Sequence, residues 1–213
     1  MTGNLSEDLW QCFAVVSKAG NEAETLLDEI TDRISARNFE HVRVEHVDSD
    51  FSQHDNGSEW VCFSDTRNFK VIPSRKHIPT HVLAVQIVFS SENGSKAGAK
   101  SILNVMLVPW DVDDKKDNYW NYNYLDAHDE EYWEDIRLSH EGKLFYSNQD
   151  FENMERAFSL PIHAISCPDD IAIKIIEPIT ALLNNPNIED LDDGLFEDAL
   201  KFTGKGFDIH LDE

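Results

Sequence analysis

Residues 81–90 read HVLAVQIVFS and residues 101–110 read SILNVMLVPW; these two stretches decide the fold. Extended chain alternates its side chains, so Leu83, Val85, Ile87 and Phe89 fall on one face and Val82, Ala84, Gln86 and Val88 on the other. In the second stretch Leu103, Val105 and Leu107 oppose Ile102, Asn104, Met106 and Val108. Both faces of both stretches are largely apolar. Such a pattern predicts central strands covered on both sides, or on one side with a partner on the other. The residues between them, SENGSKAGAK, form a polar hairpin loop.

Strand signals continue towards the N-terminus. Val42, Val44 and His46 alternate with polar positions, a polar loop follows over 48–57, and Glu59–Ser64 reads as the return strand. A short strand is expected over Asn68–Ile72. Before these, Asn4 and Glu7 make a capping box ahead of Leu9, Phe13 and Val16, and Leu26, Leu27, Ile30 and Ile34 extend the apolar stripe. Gly20-Asn21 interrupts the pattern, so one long helix with a weak point or two helices end to end are expected to about Arg37.

Towards the C-terminus, Gly142–Ser147 reads as a strand and Phe151–Phe158 as a short helix. Pro168 suits a first helical turn, and Ile171, Ile175, Ile179 and Leu182 line one face, with a kink expected at Pro178. A last amphipathic helix is expected from Asn187 to Leu200. The sum is one α+β domain over 1–213, helical at 5–37, sheet-forming at 40–147 and helical at 150–203. An antiparallel sheet of about five or six strands carries the N-terminal and C-terminal helices.

The formal charge is −23. Counted from the sequence, residues 111–135 contribute −8 and residues 187–213 contribute −7, so two short segments hold most of it. This distribution speaks against direct nucleic-acid binding, which needs a basic stripe. It favours a cationic partner, a metal ion or plain solubility. Three widely spaced cysteines, Cys12, Cys62 and Cys167, make no disulfide framework and point to a reducing compartment. The N-terminus lacks the basic and apolar regions of a signal peptide, and no apolar run approaches a membrane span. A cytoplasmic protein is the expectation.

Motifs for chemistry are few. Residues 94–101, GSKAGAKS, approach a phosphate-binding loop, yet Ala99 stands where a glycine is needed and a strand follows where a helix is required. Neither a nucleophile elbow nor a diagnostic cysteine neighbourhood is present, and no cofactor is expected. His46, Asp48 and Asp50 share a face if the strand runs on without interruption, which makes them weak metal candidates beside His41, His54 and Asp55. A second loose cluster is Asp126, His128, Asp129 and Glu130. The only basic group, Arg67, Lys70, Arg75 and Lys76, surrounds Pro73.

The segment 110–135, WDVDDKKDNYWNYNYLDAHDEEYWED, is the chain's most distinctive composition. Large rings supply contact area at little entropic cost, and carboxylates attract cations. The expected partner-binding residues are Trp110, Asp113, Asp114, Tyr119, Trp120, Tyr122, Tyr124, Asp129, Glu130, Glu131, Tyr132 and Trp133. The bland alternative puts the rings in the core and the carboxylates in solvent. Three functions follow as expectations. The first is a non-enzymatic acidic protein that recognises a basic protein, in the manner of an immunity protein, an inhibitor or a DNA-charge mimic. The second is a metal-dependent hydrolase using the 41–55 cluster. The third is a structural subunit that forms a homodimer.

Overall fold

The computed structural model describes residues 5–53, 62–89, 101–110, 136–147, 155–185, 187–205 and 209–212. Helix α1 (Leu5–Ala36) is followed by β1 (Val42–Gln53), β2 (Cys62–Pro73), β3 (His81–Val88), β4 (Ile102–Pro109), β5 (Ile136–Ser139), β6 (Leu144–Ser147) and β7 (Arg156–Pro161). These strands make one antiparallel sheet of seven in the order β1-β2-β3-β4-β7-β6-β5. The α+β class and the antiparallel sheet stand; the strand number exceeds the five or six expected.

The extra strands come from two places. Ile136–Ser139 carries too short a pattern to be read in isolation, and it pairs with β6. Arg156–Pro161, assigned in part to a short helix, is a strand between β4 and β6. Its alternation is real: Phe158 and Leu160 join the helix-covered core, and Ala157 joins the core of the opposite face. In addition, β1 runs to Gln53 and β2 is continuous over twelve residues, so the sheet takes in positions assigned to a loop and to two separate strands.

Every residue of β3 is buried. On one face Leu83, Val85 and Ile87 pack with α1 residues Leu27, Ile30 and Ile34 and with Ile175 and Ile179. On the other, Ala84, Val88, Ile102 and Met106 pack with Phe145, with Phe202 of the terminal ribbon β8 (Phe202–Thr203) and β9 (His210–Leu211), and with Ile209 just before β9. The two-sided coverage expected of the central strands is what the sheet has.

Helix α1 is unbroken through Gly20. Its buried positions Ala23, Leu27, Ile30 and Ile34 follow a 4-3-4 spacing, as one helical stripe requires. Residues Ser17 to Glu22 are all exposed. Six successive residues at about 100° each sample the whole circumference, so this part of α1 stands off the sheet.

The C-terminal helical region is α2 (Pro168–Ile171), a π turn (Ala172–Ile176) and α3 (Glu177–Asn184) in direct succession. The expected Pro178 kink is absorbed there: the π turn shifts the ladder just before the residue that has no N–H to give. Instead of a last amphipathic helix, 3-10 turns form at Ile188–Asp190 and Asp193–Phe196. Asn187 and Asp192 accept backbone N–H bonds two residues on, which favours turns over helix.

Candidate functional site

The C-terminal turns build an acidic face. Glu189, Asp190, Asp192, Asp193, Glu197 and Asp198 are all exposed. They are held in place from beneath, where Ile188, Leu191 and Phe196 are buried and Phe196 meets Phe158 edge-on at 5.5 Å. His140 bonds the Leu191 carbonyl through Nε2 at 3.1 Å, and Lys143 donates to the Glu197 carbonyl at 3.0 Å. A small cavity of about 60 Å³ opens beside this face, lined by Phe158, Ile173, Lys174, Leu195 and Phe196 among others. Ile173 is exposed at the surface.

Lys174 ties the neighbouring helix to the same face. Its ammonium lies 3.0 Å from Asp170 and 3.2 Å from Asp198, and donates to the Ala164 carbonyl at 2.8 Å. Asp170 accepts from the Ser166 backbone N–H, the Lys174 ammonium, the Ser166 hydroxyl and Cys167, and these bonds hold its carboxyl well below the ordinary range. The Asp170 bond in turn raises the Lys174 pKa. The free thiol of Cys167 is exposed at this turn.

A second feature lies inside the sheet. On the face opposite α1, Thr66, Gln86, Asn104 and Ser159 stand directly across from one another on β2, β3, β4 and β7. All four are buried. Ser159 Oγ donates to Asn104 Oδ1 at 2.9 Å, and Asn104 Nδ2 donates to Gln86 Oε1 at 3.2 Å. One row further on, Asn68 has no exposed surface, and among the described residues neither its Oδ1 nor its Nδ2 has a hydrogen-bond partner. The strands that carry these residues are otherwise apolar, so local periodicity gives the row no signature of its own. The available signal was the lone polar side chain at Gln86 and Asn104, since a buried polar group in an apolar run requires a partner.

The weak metal candidates are rearranged by one irregularity. His46 pairs with Phe69 whereas Asp48 pairs with Asn68, so Val47 is a bulge in β1. The uninterrupted alternation that would unite His46 with Asp48 and Asp50 therefore fails, because the extra residue shifts the phase of the strand. His46 takes the register position of the α1 face, where its ring lies 5.3 Å from Phe69. Asp48 and Asp50 take positions on the opposite face, across from Asn68 and Thr66. Among the described residues, no group of three or more His, Cys, Asp and Glu is placed to hold a metal ion.

Of the expected partner-binding residues, Trp110 is described. It is half-buried, its backbone N–H donates to the Thr80 carbonyl at 2.8 Å, and the Lys70 ammonium lies 5.2 Å from its ring. Asp113, Asp114, Tyr119, Trp120, Tyr122, Tyr124, Asp129, Glu130, Glu131, Tyr132 and Trp133 lie outside the described residues, as does the cluster at Asp126–Glu130. The basic group around Pro73 does not act as one unit. Lys70 belongs to Trp110, and Arg67 is internal, bonded to Asp65 and, at 3.2 Å, to Asp28 of α1. Burial raises the Asp65 carboxyl pKa despite the Arg67 guanidinium beside it.

No helix among the described residues is long and apolar enough to cross a membrane. Neither family models, curated protein sequences nor solved structures match the chain.

Proposed function

We propose that the protein is an acidic binding protein whose partner is a basic protein, recognised without catalysis. The observation that carries the reading is the concentration of charge. Segments 111–135 and 187–213 hold most of the −23, and in the second of them six carboxylates stand exposed on turns anchored by buried Phe196 and Leu191. A pre-organised field of one sign accelerates capture of a partner of the other sign and rejects wrong partners. The small cavity between Ile173 and Leu195, which Lys174, Glu197 and Asp198 also line, adds a recess for a side chain of the same partner.

Retention of lysate proteins on the immobilised chain at low and high salt tests the reading. A basic protein held at low salt and released at high salt is the expected result. Retention of nothing, or retention indifferent to salt, removes the reading's basis. Within a complex, Trp120→Ala or Trp133→Ala should weaken binding more than loss of any single nearby acid, because buried rings carry energy and rim charges carry rate.

A further inference from the structure

We infer that the protein forms a symmetric dimer in which the outer edge of β1 pairs, antiparallel and centred on Val44, with the same edge of a second copy. Strand β1 ends the sheet, and among the described residues β2 is its only strand neighbour. One hydrogen bond fixes the direction of its free backbone groups. Ser74 donates its N–H to the His41 carbonyl, so the backbone of His41 turns towards β2. Antiparallel ladders alternate bonded and non-bonded pairs, and the pairing runs without interruption from Val42 to His46. The backbone groups of Arg43 and Glu45 therefore also turn towards β2, and those of Val42, Val44 and His46 point away from it. Side chains along this stretch leave it open: Arg43, Glu45, His46 and Val47 are exposed.

Charge selects a second copy as the occupant. Val42 and Val44 pack against the helix-covered core, so Arg43 and Glu45 stand on the other face, where they pair with each other at 2.6 Å. In a dimer centred on Val44, Arg43 faces the partner's Glu45 and Glu45 faces the partner's Arg43. The four charges alternate in sign on a rectangle of about 5 by 7 Å. Both cross-strand pairs are of the non-bonded kind, which brings side chains closest. Centring on Arg43 or on Glu45 would set like charges opposite, and centring on Val42 or His46 would leave both without an opposite charge. The bulge at Val47 ends the regular edge, which bars longer pairings. Two copies of a −23 chain repel, yet residues 41–110 hold seven acids and seven bases, counted from the sequence, so this edge belongs to the neutral part. The acidic face is anchored on Phe158 of β7, four strands or about 19 Å from β1, and pairing leaves it free.

Analytical sedimentation of the full-length chain at rising concentration and physiological ionic strength tests the dimer. A reversible monomer–dimer equilibrium is expected. Arg43→Glu puts acids at both edge positions and Glu45→Arg puts bases at both, so each variant alone should self-associate about tenfold or more weakly. An equimolar mixture of the two restores opposite charges across the edge and should regain most of the lost affinity. Both side chains are exposed, so the monomer should keep its melting temperature. Val44→Pro removes an N–H that points away from β2; it should reduce dimerisation similarly while the monomer stays folded. The double variant Asp192→Asn/Glu197→Gln lies on the acidic face and should leave the dimer unchanged, which separates this inference from capture of a basic partner. A parent chain that stays monomeric throughout overturns the proposal and leaves the edge to solvent or to a strand of another protein. Single variants that associate like the parent overturn it too, as does a mixture that dimerises no better than its components.

Discussion

Arg156 on β7 donates from Nη1 to the carbonyl oxygen of Leu182 at 2.9 Å. The same nitrogen reaches the carbonyl of Asn185 at 2.8 Å, so a strand residue caps the C-terminal end of α3. Arg156 is 1% exposed. Burial lowers its pKa to about 10, which still leaves it charged at neutral pH, where the negative end of the helix favours a cation.

Arg156→Met retains the bulk of the side chain but leaves both carbonyls without this donor. Loss of about 2–4 kcal/mol is expected, since unmet buried acceptors outweigh the relief of an interred charge. Chemical denaturation measures it. Stability equal to that of the parent chain would show that the cap adds nothing.

Asp170 makes stability depend on acid. Its folded-state pKa lies below the ordinary 3.8, so its contribution is present above that value and is lost as pH falls through the folded one. The parent chain should therefore lose more stability below about pH 4 than Asp170→Asn does. Asp65 has the opposite sign, because its pKa is raised: it adds stability as pH falls through its folded value, and Asp65→Asn should lack that gain. Melting temperatures across the acid range test both, and identical profiles for parent and variants would refute them.

The row Gln86–Asn104–Ser159 is a unit. Asn104→Leu removes the partner that accepts from Ser159 and the one that donates to Gln86, at an expected loss of about 2–3 kcal/mol. Replacing the whole row, by Gln86→Leu, Asn104→Leu and Ser159→Ala together, should recover much of that loss, because no polar group then remains unmet. Simple additivity of the three single changes is the outcome that contradicts this account.

Gly142 stands at φ +89°, after His140 and Glu141, which also have positive φ. A Cβ there would collide with the Phe202 carbonyl oxygen, so backbone rather than a flexible side chain blocks it. Gly142→Ala should cost about 2–4 kcal/mol from strain and overlap combined. Unchanged thermal unfolding would show that β8 can move aside.

Several features were legible in the sequence because they depend on near neighbours. The apolar alternation at 81–90 and 101–110 is local, and it implied central strands with both faces covered. The helical stripe through Leu27, Ile30 and Ile34 and the helix after Pro168 are equally local. The 187–200 segment misled, since its apolar spacing suits a helix while Asp192 and Asn187 bond their own backbone into turns. At the acidic face the charge was visible in composition, whereas the cavity beside Ile173 was not, because its walls come from β7, the π turn and the 3-10 turns.

By itself the sequence determined the α+β class, the extreme acidity and the central strands, all consequences of composition and short-range periodicity. Only the tertiary structure decided the order of the seven strands, the helix capped by Arg156 and the row that joins Gln86 to Ser159. It also decided, through a single extra residue at Val47, which face Asp48 and Asp50 share. These depend on cross-strand register. Register is fixed by the pairing energy of residues far apart in the chain, which no local pattern contains.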